Sequence, residues 1–85
     1  MKKVTSVTPL DGFRLEVVFD DGLQGIVSLH DRLFGPVFEP LLAESAFRQA
    51  YVDEFGVICW PTGADLAPDA LYDRIARVVN VESVR

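Results

Sequence analysis

One histidine and one cysteine, His30 and Cys59, are the side chains from which a nucleophile and its base would have to be drawn. His30 stands beside Asp31 and Arg32 at the end of an apolar stretch, where a lone histidine ordinarily serves as a surface or hydrogen-bonding residue. Cys59 lies between Ile58 and Trp60 in an apolar run, the setting of a buried and inert thiol. Two close carboxylate pairs, Asp20 with Asp21 and Asp69 with Asp73, offer general acid–base or divalent-ion chemistry, the second by sharing a helix face at i, i+4. Asp-Asp-Gly is also a turn former, however, and Asp69 follows Pro68 where a helix would begin. These structural roles account for both pairs, so no catalytic, metal-binding or cofactor-binding residue is assigned.

Other chemistries lack their parts. Gly22 and Gly25 have neither the Lys-Ser/Thr of a phosphate-binding loop nor the third glycine of a dinucleotide fingerprint, and a single histidine cannot supply a credible triad set. A net charge of -5 works against binding a phosphate backbone, which depends on clustered Lys and Arg, so no direct nucleic-acid binding is expected. Met1-Lys2-Lys3 is followed by alternating residues and not by the apolar core of a signal peptide, and no apolar run reaches membrane-spanning length. The expectation is a cytoplasmic protein.

The elements that would position these residues are short. Lys3 to Pro9 alternates with Val4 and Val7 and ends at Pro9 and Leu10-Asp11-Gly12. Phe13, Leu15, Val17 and Phe19 recur at period two, which makes one sheet face apolar. Asp20-Asp21-Gly22 predicts a hairpin into a third strand from Leu23 to Leu29, whose Gly25 implies a bulge or a close backbone approach. His30 to Leu42, broken by Gly35, Pro36 and Pro40, reads as a short helical turn and an apolar loop. Glu44 to Ala50 reads as a short helix with Ala43, Phe47 and Ala50 or Tyr51 on one face.

Tyr51–Asp53 and Val57–Trp60 then form a second hairpin around Gly56, and Thr62–Asp65 a polar turn. Pro68 suits the first position of a helix whose buried stripe is Leu71, Ile75 and Val78 or Val79. Beyond Asn80 the chain either frays or continues as an extended arm. The order β-β-β-α-β-β-α predicts an α+β domain, an antiparallel sheet of about five short strands with one short and one longer helix. Residues 1–85 make one domain, of which 76–85 are a C-terminal extension.

Two features point outward. A chain of 85 residues with 49% hydrophobic and 25% charged residues folds on a small core, and with one cysteine it has no disulfide to strengthen it. Self-association, as a homodimer using the valine-rich Val78-Val79-Asn80-Val81, is the device left. Phe34, Phe38, Phe47, Phe55, Trp60 and Tyr72 are also more aromatic bulk than such a core readily hides. The loop from Phe34 to Phe38, together with Trp60, is the expected apolar patch for a protein partner.

Several of these stretches together resemble a known family. They are Val4-Thr5-Ser6-Val7-Thr8-Pro9-Leu10, Leu15-Glu16-Val17-Val18-Phe19-Asp20-Asp21-Gly22 and Gly35-Pro36-Val37-Phe38-Glu39-Pro40-Leu41, then Phe47, then Trp60-Pro61-Thr62-Gly63-Ala64-Asp65-Leu66-Ala67-Pro68-Asp69 with Leu71-Tyr72. In this order and spacing, from Val4 to about Ile75, they resemble the small bacterial DUF2442 family. The resemblance implies an α+β fold similar to the Nitrosomonas-type N-terminal domain, which some members follow with a helix-turn-helix. Only about ten residues follow the match, so DNA binding by an appended domain is not carried over. Members are often encoded beside another small protein, an arrangement similar to toxin–antitoxin modules, and no catalytic residue comes with the family. The leading expectation is a non-enzymatic interaction domain, an accessory or antitoxin-like partner of a small protein. The alternative is a dimerising or sensory module of a DNA-associated regulator.

Overall fold

Alternation along the first thirty residues builds a three-stranded antiparallel meander from β1 (Val4–Leu10), β2 (Arg14–Phe19) and β3 (Gln24–Ser28), in the order β1-β2-β3. In this computed structural model the backbone is described for residues 2–84 and the side chains for residues 2–77. Leu15, Val17 and Phe19 point inward and are fully buried, whereas Arg14, Glu16 and Val18 face outward, as period two requires. On that outer face Gln24 Nε2 donates to Glu16 Oε2 at 3.1 Å.

Phe13 departs from its expected place as the first residue of that strand. It sits in the β1–β2 turn at φ 57, just after Gly12 at φ 76, and its carbonyl accepts the Leu29 N–H at 2.9 Å. An aromatic residue in the left-handed region carries strain. The ring is compensated by edge-on packing against Phe47, 5.4 Å between centroids. The β2–β3 turn follows its prediction: Gly22 takes φ 93, and Asp21 Oδ1 accepts the Leu23 N–H at 3.0 Å.

Gly25 proves to be a close approach. The ladder of β2 with β3 runs through Val17↔Gly25 without a break, while the one irregularity lies between Val4 and Ser6 of β1. A Cβ on Gly25 would stand 2.6 Å from Cγ2 of Ile75, so the glycine is what lets the long helix settle on β3.

Four short helical turns occupy the middle of the chain: 3₁₀ turns at His30–Arg32 and Glu39–Leu42, and single α-turns α1 (Gly35–Phe38) and α2 (Glu44–Phe47). Of the face expected for α2, Phe47 is buried and Ala50 partly so, while Ala43 and Tyr51 are exposed. A second antiparallel sheet follows, made of β4 (Tyr51–Val52), β5 (Ile58–Cys59) and β6 (Asp65–Leu66) in the order β4-β5-β6. The α+β class stands, and among the described residues six strands divide between two small antiparallel sheets. The sixth, β6, occupies the end of the expected polar turn, because two residues are too few to carry an alternation signal.

The tip of the second sheet is fastened to the first. Asp53 Oδ1 accepts the N–H groups of Phe55 and Val57, Gly56 turns at φ 77, and its carbonyl takes the Val4 N–H at 2.9 Å. A Cβ on Gly56 would stand 2.7 Å from Cβ of Lys3.

Helix α3 (Pro68–Val84) closes the fold, with Leu71 and Ile75 buried beneath it. Its backbone stays helical past Asn80 to Val84, where the sequence leaves open a frayed end or an extended arm. The side chains of Val78, Val79 and Val81, to which self-association was ascribed, lie outside the described residues. No helix is long and apolar enough to cross a membrane, among the described residues.

Trp60 corrects the expectation of an exposed patch. It is a core residue, 2% exposed, and its indole Nε1–H donates to the Phe47 carbonyl at 2.8 Å. The indole supplies apolar bulk and one donor, and both are satisfied between the two sheets. A strand end read from sequence does not tell which way so large a ring turns.

Candidate interaction groove

Helix periodicity divides α3 into three strips. Leu71 and Ile75 form the buried one; Ala70, Asp73, Arg74 and Arg77, spaced i, i+3, i+4 and i+7, share the strip on one side of it, and Tyr72 stands on the other. The strip with the two arginines is one wall of a groove of about 890 Å³.

The facing wall comes from the chain that leaves β3. Leu29 and Leu33 turn inward and are buried, which forces His30, Asp31 and Arg32 between them into solvent. Phe34 is then extended (φ -133, ψ 163), and Gly35 at φ 84 with Pro36 behind it redirects the chain into α1. Phe34 is left 71% exposed at the rim, and Phe38 comes back to line the groove half-buried. Leu29, Leu33 and Leu71 make the floor, and Asp65 and Leu66 of β6 complete the lining. Arg74 reaches back to donate to the Ser28 carbonyl at 2.9 Å, which ties α3 to the end of β3.

The electrostatics of this groove run against those of the whole molecule. Arg32, Arg74 and Arg77 against Asp65 and Asp73 leave it at +1, and these are three of the eight basic residues in a chain of net charge -5. Among the described residues the only ion pairs are those of Arg48, with Asp11 and with Glu44.

The residues singled out for chemistry are placed apart from one another. The His30 ring packs against Phe13, 5.9 Å between centroids, on an exposed turn. The Cys59 thiol has Asp53 Oδ2 and the Val57 carbonyl as partners, each at 3.6 Å. Burial pushes this thiol up from its ordinary value, and the neighbouring Asp53 carboxylate pushes it further, which disfavours the nucleophilic thiolate. Asp53 itself is held below the usual carboxylate range, chiefly by the N–H of Val57.

The carboxylate pairs have separate duties. Asp21 accepts a hydrogen bond from the Tyr72 hydroxyl, Asp69 Oδ1 accepts the Lys2 backbone N–H at 3.0 Å, and the Lys2 ammonium lies 4.1 Å from the centre of the Tyr72 ring. The Asp20 backbone N–H pairs with the Lys3 carbonyl, and Asp73 belongs to the groove. Among the described residues no three His, Cys, Asp or Glu side chains are grouped to hold a metal ion.

Phe34 and Phe38 were therefore placed on a shared surface and Trp60 was not. The arginine set went unseen because Arg32 lies far from Arg74 and Arg77 along the chain. The spacing of Ala70, Asp73, Arg74 and Arg77 was the one signal that could have exposed a second helical face.

In comparison with known proteins, residues 4–77 match the model of a family described as a protein of unknown function, DUF2442. No curated protein and no solved structure matches the chain.

Proposed function

The chain belongs to the DUF2442 family, and on that premise we propose that it is a non-enzymatic protein-interaction domain, an accessory or antitoxin-like partner of a small protein. The observation that carries this reading is Phe34, 71% exposed at the rim of the groove, with Val37 at 52% and Leu42 at 48% following it along the chain. Isolated apolar side chains on a surface are ordinary, whereas several in one stretch beside a concave site mark a contact region. The setting of Cys59 and His30 supports the same reading, since neither has a partner that would activate it for catalysis.

The test is recovery from the protein's own cells with a tagged chain as bait. The wild-type bait is expected to bring down a small protein that Phe34→Glu loses while its thermal unfolding stays the same. Recovery of bait alone under gentle conditions would sink the reading. We further propose that the protein is cytoplasmic and self-associates; light scattering that shows only monomer at high concentration would count against self-association.

A further inference from the structure

We propose that the groove between α3 and residues 29–38 receives an acidic amphipathic helix of the partner, its apolar side chains over Phe34, Phe38 and Leu66 and its carboxylates on Arg32 and Arg77. This deepens, and rests on, the reading of the chain as an interaction domain. The charge of the groove carries it. In a molecule of net charge -5, three guanidiniums converge on one concave site, and neither Arg32 nor Arg77 has an ion-pair partner among the described residues. Guanidinium forks favour carboxylates, with which they pair bidentately.

The lining narrows the chemistry. Exposed Phe34, with the half-buried Phe38 and Leu66 of the same lining, asks for an apolar counterpart, which a bare polyanion lacks. A helix with apolar residues at i, i+3, i+4 and i+7 and acidic residues between them meets both demands. An added strand does not, because the only strand residues lining the groove are Asp65 and Leu66, too few to template one.

The experiment uses the full chain and a fluorescein-labelled peptide of about four helical turns, with leucine on one face and glutamate elsewhere, against its twin with every glutamate replaced by lysine. Anisotropy is expected to show binding near the micromolar range for the glutamate peptide and at least about tenfold weaker binding for the lysine peptide. Arg32→Gln with Arg77→Gln should weaken the glutamate peptide by about tenfold, and raising salt should weaken it in wild type more than in the double variant. Both arginines are exposed, and the single variants serve if the double variant melts early. Equal binding of the two peptides, or none with the glutamate peptide up to about a hundredfold higher concentration, overturns the proposal. If cellular recovery still depends on Phe34 in that case, the interaction reading survives and only the acidic helix is lost.

Discussion

On the side of α3 that carries Tyr72, polar groups are matched within the molecule: the phenol with Asp21, the Lys2 ammonium with the phenol's ring, and the Lys2 N–H with Asp69. Across the buried Leu71–Ile75 stripe, the side that carries Arg74 and Arg77 is matched only in part among the described residues, by the bond from Arg74 to Ser28. Both sides hang on one helix and one core. Among the described residues, polar groups are closed off within the molecule on one side of the helix and left largely open on the other, the side where the proposed partner would sit.

The harshest way to break this contrast is to unseat the helix that both sides share. Gly25→Val would press a branched side chain onto Ile75, whose own Cβ branching leaves it little freedom to move aside. Overpacking of this kind costs about 1–3 kcal/mol. Each kcal/mol lowers Tm by roughly 4–8 °C in a domain this small. Calorimetry should show the loss, and peptide binding in the groove should fall with it; an unchanged Tm would mean that α3 is not seated where Gly25 suggests.

Trp60→Phe tests a polar group committed inside the core. Phe lacks the indole N–H, which leaves the Phe47 carbonyl only the Ala50 N–H at 3.3 Å, and loss of one of the two fused rings opens a cavity, at a combined cost of about 1–3 kcal/mol. A urea midpoint equal to wild type would show that this bond contributes nothing.

A smaller effect, and a more diagnostic one, is expected on the matched side. The Tyr72 hydroxyl, helped by the Leu23 N–H, holds the Asp21 carboxyl below its ordinary 3.8, so its contribution to stability is present above that pH and fades as acid protonates the folded carboxylate. Tyr72 is raised above its ordinary 10.0, chiefly by the same bond, so its contribution is present below 10.0 and fades as alkali ionises the folded phenol. Tyr72→Phe should therefore melt earlier than wild type by an amount that is flat between these two values and closes outside them. A difference that persists unchanged into strong acid would rule the hydrogen bond out as its source.

The smallest effect belongs to the open side. Phe34→Ser and Arg77→Gln should each leave stability within about 0.5 kcal/mol of wild type, as exposed residues with no internal partner among the described residues do. A marked loss in either would mean that the groove holds the fold together and is not free for a partner.

What could be read from residues alone follows the same division. The meander was legible because Leu15, Val17 and Phe19 repeat at period two and are followed by Asp-Asp-Gly, and α3 because Pro68-Asp69 opens a stripe of Leu71 and Ile75. Phe34 could be expected outside because Gly35 and Pro36 break any element that might cover it. Trp60 could not be placed, since its direction depends on where Phe47 arrives from another part of the chain. Phe13 fitted the alternation and was assigned to a strand, yet closure of the turn after Gly12 took its backbone elsewhere while its ring still reached the core. The groove was hidden for a similar reason, because its two walls meet only after folding.

The seam at Gly56 bears on how the molecule comes apart. Strands of two residues could not persist alone, yet the loop tip of the smaller sheet is riveted to Lys3 and Val4 at the start of the larger. The halves should therefore melt in a single transition, and Val4, though it meets Phe19 early, completes its contacts only with a point more than fifty positions downstream.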